Sequence, residues 1–176
     1  FTHRFSWSMP TFAGASFAVC ALVIVLMLNT SPTQQTFITA VGEQAQHQLE
    51  DGTTLSLNTN SQVYVDYTGP RRRITLYRGE VHFDVAKDKT RPFVVYAGEG
   101  MVWAVGTAFN VRVANKGIDV TVTEGTVKVF ADIDTEKIEP PLQVDLNETP
   151  SQTPGVTESL LKAGQALQYS QVIGVI

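Results

Sequence analysis

From Val63 onward the chain places an apolar residue at every second position over several short runs: Val63, Val65 and Tyr67, then Val81, Phe83 and Val85, then Val111 and Val113, then Val120 and Val122. Successive side chains of a β-strand point to opposite faces, so this period puts one apolar and one polar face on each run. No helical stripe of comparable strength competes. Glycine punctuates the runs, at Leu49-Glu-Asp-Gly52, Leu76-Tyr-Arg-Gly79, Val95-Tyr-Ala-Gly98, Val122-Thr-Glu-Gly125 and Leu161-Lys-Ala-Gly164. Glycine at a corner allows positive φ or close backbone approach, so the chain reverses or bends there. The intervals are unequal, which argues against identical stacked rungs. The expected fold is all-β over residues 37–169: a twisted, mainly antiparallel β-sandwich, or a short irregular β-solenoid of stacked hairpins. Phe83, Phe93, Phe109 and the alternating valines should supply its core.

The β pattern fails between 131 and 159, where four prolines and a run of acidic residues leave little to bury; this stretch is expected to be a mobile insertion. Within it Leu142, Val144 and Leu146 alternate and offer one further edge strand. Leu160 to Tyr169 resumes the pattern and closes the domain. Residues 170–176 read as the start of a C-terminal extension that continues beyond the sequence given.

Residues 9–28, Met9 to Leu28, contain no charged side chain. That is about the ~20 residues a helix needs to cross a bilayer core. Pro10 suits the first helical turn, and Trp7 sits where an interfacial aromatic anchor belongs. Arg4 flanks the start, and no Lys or Arg recurs until Arg71, so the positive-inside rule orients residues 1–8 to the cytoplasm and the β domain to the far side. The competing reading is a cleaved signal peptide, but Asn29-Thr-Ser-Pro-Thr-Gln-Gln35 offers no small-x-small site. Residues 29–36 read as a linker leaving the membrane.

Several classes of chemistry lack the residues they need. The single cysteine, Cys20, lies in the apolar run, so no intrachain disulfide forms. The net charge of -4 argues against a nucleic-acid partner. His3, His47 and His82 are not spaced as metal ligands, and no metal or other cofactor is expected. No nucleophile elbow, Cys-His pair or phosphate-cradling loop occurs, so the chain does not read as an enzyme. Glu50 and Asp51 precede Gly52 and suit turn chemistry better than acid–base work. Seven of the 13 Lys and Arg fall between 71 and 91. Arg71, Arg72 and Arg73 open that segment as candidate contacts for an acidic partner, or else as charges that keep an outer sheet face soluble.

A set of ordered strings narrows the choice. Leu49-Glu-Asp-Gly-Thr-Thr-Leu-Ser-Leu-Asn58 with Ser61, Arg73-Ile-Thr-Leu-Tyr-Arg-Gly-Glu-Val-His-Phe-Asp-Val-Ala86, Arg91-Pro-Phe-Val-Val95, Val105-Gly-Thr-Ala-Phe-Asn-Val111 and Val120-Thr-Val-Thr-Glu-Gly-Thr-Val127 closely resemble the FecR family of sigma-factor regulators. Most of these residues read as structural: Asp51-Gly52 as a tight turn, Asn58 and Ser61 as partners for turn backbone, and Glu80 with Arg91 as a buried or half-buried ion pair.

The resemblance implies a single-pass inner-membrane protein with its N-terminus cytoplasmic and its β domain periplasmic. It further implies an extracytoplasmic-function sigma factor bound by a cytoplasmic domain preceding Phe1, and the signalling domain of an outer-membrane TonB-dependent receptor met in the periplasm. Iron-transport regulation is the setting it suggests. The alternative is an envelope-anchored β module that binds or supports without regulating a sigma factor. The resemblance also implies that Gly106-Thr107 is a possible self-cleavage bond, with the Thr107 hydroxyl attacking the Gly106 carbonyl. Read structurally, the same pair is a corner leading into a core strand.

Overall fold

The computed structural model describes residues 34–114, 117–131 and 157–170, which fall in one compact unit, Pro32–Ile176. Among these residues every regular element is a β-strand. They are β1 (Gln34–Ile38), β2 (Ala45–Gln48), β3 (Thr54–Leu57), β4 (Gln62–Asp66), β5 (Arg72–Arg78), β6 (Glu80–Asp84) and β7 (Phe93–Ala97). The second half adds β8 (Gly100–Ala104), β9 (Ala108–Ala114), β10 (Gly117–Glu124), β11 (Thr126–Ala131), β12 (Thr157–Lys162) and β13 (Ala166–Ser170).

Seven strands form sheet A in the order β1-β4-β5-β7-β8-β11-β12, and six form sheet B in the order β2-β3-β6-β9-β10-β13. Both orders rise with chain position. The chain therefore lays down a hairpin or a single strand in one sheet, crosses to the other, and advances along both together. Every pairing is antiparallel except β5 with β7, which run parallel because β6 leaves for sheet B between them. The result is a two-sheet sandwich assembled from stacked hairpins. The unequal glycine spacing follows from the mixture of hairpin turns and sheet-to-sheet crossings.

The period-two runs meet their purpose at the interface of the sheets. Val63, Val65, Ile74, Leu76, Phe93, Val95, Val102 and Val129 from sheet A face Leu55, Leu57, Val81, Phe83, Phe109, Val111 and Val120 from sheet B, all buried. Phe83 stacks on Phe109 within sheet B at 5.2 Å between centroids and meets Phe93 of sheet A edge-on at 5.7 Å. Each such ring contributes about 1.5–3 kcal/mol by leaving water. The five glycine corners, Gly52, Gly79, Gly98, Gly125 and Gly164, all have positive φ. Gly79 alone carries the chain from β5 in sheet A to β6 in sheet B, and a Cβ there would lie 2.7 Å from the Asn60 carbonyl oxygen. The flanking Glu80 backbone is held by Ser61, whose Oγ accepts the Glu80 N–H and donates to the Glu80 carbonyl, both at 3.0 Å.

Three features depart from the sequence reading. Strand pairing starts at Gln34 rather than Phe37, with Gln34, Gln35 and Thr36 opposite Asp66, Val65 and Tyr64. This edge strand is polar and mostly exposed, so it carries no hydrophobic pattern to betray it. Pairing also resumes at Thr157 within the expected insertion, where β12 lies along β11 and Glu158 forms a buried ion pair with Lys128 at 2.9 Å. Finally, β8 is buried on both sides: Met101 and Trp103 point outward from sheet A yet are inaccessible, clustered with Val94. The expected span at 9–28, and Leu142, Val144 and Leu146, lie outside the described residues. No helix among the described residues is long and apolar enough to cross a membrane.

Candidate functional site

The Gly106-Thr107 bond lies in the three-residue crossing, 105–107, that takes the chain from β8 in sheet A to β9 in sheet B. Gly106 sits at φ +150°, a conformation L side chains rarely adopt. A Cβ there would also collide with the Lys87 side chain and come within 2.9 Å of the Lys87 Cα, so only glycine fits on both counts. Thr107 is packed from the opposite side. Its methyl would be 2.7 Å from a Cβ on Gly125, which explains a second glycine at that corner. The Thr107 Oγ1 is buried and has no hydrogen-bond partner among the described residues. An orphaned buried hydroxyl costs about 1–3 kcal/mol, so its retention asks for a reason.

The loop 85–92, between β6 and β7, lies against this crossing. The Val85 N–H donates to the Thr107 carbonyl at 3.0 Å, and the Asp88 N–H donates to the Val105 carbonyl at 3.2 Å. Arg72 fastens the loop from beneath. Its side chain is fully buried; Nε donates to the Arg91 carbonyl at 2.8 Å, one terminal nitrogen to the Ala86 carbonyl at 2.9 Å and Asp51 Oδ2 at 2.7 Å, and the other to the Asp88 carbonyl at 3.5 Å. The guanidinium also lies 5.4 Å from the centre of the Phe93 ring. A buried guanidinium needs this fork of acceptors, because an unpaired charge there would be costly.

Asp51 serves two structures at once. Burial tends to raise its carboxyl, but hydrogen bonds from Arg72 and from Thr53, with the Arg72 charge, outweigh that and hold it below the usual carboxylate value. Its Oδ1 accepts the Thr53 N–H at 3.0 Å and its Oδ2 the Thr53 hydroxyl at 2.7 Å, closing the turn around Gly52. The turn chemistry expected of Asp51 is present, together with an ion pair to Arg72 that spacing along the chain did not reveal.

The basic triplet is not a common surface. Alternation along β5 sends Arg72 inward beside Ile74 and Leu76, and Arg71 and Arg73 outward. Arg71 is only 8% exposed and lies 5.9 Å from the Trp103 ring centre, while Arg73 is exposed and lies 5.3 Å from that of Tyr96. The expectation that Arg71, Arg72 and Arg73 together face a partner is therefore corrected for Arg71 and Arg72, which are buried; Arg73 keeps an accessible charge. A second correction concerns Glu80 and Arg91, which do not pair. Glu80 Oε1 accepts from Asn110 Nδ2 at 2.8 Å and Oε2 from Asn58 Nδ2 at 3.3 Å, whereas Arg91 donates to the Tyr67 carbonyl at 3.0 Å and stacks on its ring. No group of three or more His, Cys, Asp or Glu placed to hold a metal occurs among the described residues.

These features define a two-sheet β domain whose sheet-to-sheet crossings, fastened by a buried arginine, carry its distinctive residues. The family described as FecR protein matches residues 35–128, and the chain belongs to that family. In fold it is similar to two crystal structures of a provisionally assigned anti-sigma factor from Parabacteroides distasonis, each with a TM-score of 0.53. Identity is 20% and 21%, and the alignments cover 79% and 78% of this chain. The chain spans about three fifths of those structures, 61% and 60%. No functionally curated protein matches.

Proposed function

We propose that this chain is the extracytoplasmic part of a FecR-type transmembrane regulator, which relays a signal by protein contact and not by turning over a substrate. The observation that carries the reading is the family match over residues 35–128, which contains the Gly79, Gly106 and Gly125 crossings and the Arg72 clamp. Likeness in fold to a provisionally assigned anti-sigma factor supports a regulatory role. In this reading residues 9–28 anchor the protein in the inner membrane, the β domain occupies the periplasm and meets the signalling domain of a TonB-dependent receptor, and a cytoplasmic segment binds an extracytoplasmic-function sigma factor. Crosslinking in cells expressing the full-length protein, followed by affinity capture, should recover both a sigma factor and a receptor signalling domain. Recovery of neither, with and without receptor induction, contradicts the proposal.

The same reading gives the Thr107 hydroxyl its reason. Oγ1 attacks the Gly106 carbonyl carbon, the hydroxyl proton passes to the departing amide nitrogen, and the peptide bond becomes an ester with a free Thr107 amine. Water then opens the ester to a Gly106 carboxylate and the restored hydroxyl. An unengaged hydroxyl and a glycine carbonyl without a flanking side chain favour that step. The cut would separate β1–β8 from β9–β13, yet β6 pairs with β9 and β8 with β11, so the two pieces would stay joined through both sheets.

A further inference from the structure

The outer face of sheet B holds a second constellation that the regulatory reading does not use. Across β2, β3, β6, β9 and β10 the residues Gln46, Ser56, His82, Asn110 and Thr121 stand opposite one another in one cross-strand row. In the adjacent row Glu80 stands opposite Arg112, and Arg112 opposite Asp119. Over the first row from Gln46 to Asn110 lies a shallow cleft of about 430 Å³, with Glu80 also in its lining. Each Glu80 oxygen accepts one asparagine amide, from Asn110 at 2.8 Å and Asn58 at 3.3 Å, and Gln44 donates to Asn58 Oδ1 at 2.9 Å. Two side-chain amides are thereby held on one carboxylate, and a third, Gln44, on Asn58.

That arrangement leaves capacity to spare. An asparagine amide has two N–H donors and a carboxylate oxygen can accept more than one hydrogen bond, so Asn58, Asn110 and Glu80 each retain unused positions. The Ser56 hydroxyl and the His82 imidazole also line the cleft. Donors and acceptors thus alternate across strands about 4.8 Å apart.

We infer that this cleft binds a neutral, polyhydroxylated glycan chain. Neighbouring sugar hydroxyls can donate to a carboxylate while accepting from an amide, and the fixed Glu80 network presents both without a cost of ordering. Other ligand classes fit less well. The nearby cation, Arg112, is engaged by Asp119 at 2.6 Å, and the carboxylate in the lining repels an anionic backbone. A peptide strand would need free main-chain groups; β3, β6 and β9 are each paired on both sides, and a strand added at the open edge of β2 would lie beside the cleft and not over its row of side chains. Lipid would need apolar walls, and the lining offers only Ala45 and the inward-facing Leu57. With no Phe, Tyr or Trp ring in the lining to stack on a sugar, affinity should be weak.

Titration of the ¹⁵N-labelled full chain in detergent micelles with chitotetraose, and separately with cellotetraose, should shift the side-chain amide signals of Asn58 and Asn110 saturably at millimolar concentration. Asn110→Ala should weaken binding at least tenfold. Because that change alters the Glu80 network, Ser56→Arg serves as a second variant that fills the cleft from a half-buried position, and both are compared at unchanged thermal melting. Absence of a saturable shift with either sugar overturns the inference, as does binding that both folded variants retain at full strength.

Discussion

Replacing Arg72 by alanine is expected to destabilise the domain by about 3–5 kcal/mol, because truncating one member of a buried pair strands the other. The change leaves Asp51 half-buried without its cation and removes the donors to the Ala86, Asp88 and Arg91 carbonyls, so the loop 85–92 loses its lower attachment. Arg72→Lys should recover little, since one ammonium cannot reach acceptors arranged for a planar fork. Asp51→Asn should cost less, because an amide oxygen in the place of Oδ2 still accepts from Arg72 and the Thr53 hydroxyl, while the bond from the Thr53 N–H is lost. Urea denaturation of the full chain in detergent, followed by tryptophan fluorescence, reads all three. A loss below about 1 kcal/mol for Arg72→Ala, the range of a surface ion pair, would show that the clamp is not structural. The pH dependence follows the same pair. Asp51 has a folded value below its unfolded one, so its contribution is full above the ordinary carboxylate range and is lost as pH falls through the lowered value. Wild type should therefore lose a part of its stability in acid that Asp51→Asn lacks.

The second large effect concerns the covalent chain. Purified wild-type protein should give two masses, divided between Gly106 and Thr107, and Thr107→Ala a single intact mass. Thr107→Ser keeps the nucleophile and should give two. Both wild-type pieces should elute together under native conditions, because β6 with β9 and β8 with β11 hold across the cut. A single intact species in all three proteins would leave Gly106 as a corner that close packing against Lys87 requires, and nothing more.

Much of the architecture was legible along the chain. The alternation through Val63 to Tyr67 and Val81 to Val85 identified inward faces because a β-strand has a period of two, and the glycine corners marked reversals because only glycine takes those φ values cheaply. Parity also held an unread clue: Arg72 shares its face with Ile74 and Leu76, and an arginine on an inward face demands buried acceptors. Which acceptors they are depends on strand registers that bring Asp51 and the loop 85–92 together, and spacing along the chain does not set those. The same limit misled the pairing of Glu80 with Arg91. The β6–β9 register places Asn110 beside Glu80 from thirty positions away, while Arg91 lies in the loop 85–92, just before β7 of the other sheet. Polar β1 escaped notice because an exposed edge strand need not alternate. The strand carrying Met101 and Trp103 escaped because it is buried on both faces, so its sequence shows no alternation of apolar and polar residues.

The central claim is that the β domain conveys a signal to a sigma factor. It is tested most directly by a reporter gene under the promoter of the captured sigma factor, compared between full-length protein and a form lacking residues 37–169 but keeping the segment 9–28. With the full-length protein, reporter output should change when the receptor's signalling domain is expressed in the periplasm; with the deleted form, output should be the same whether or not that domain is present. An equal response from both forms would contradict the account.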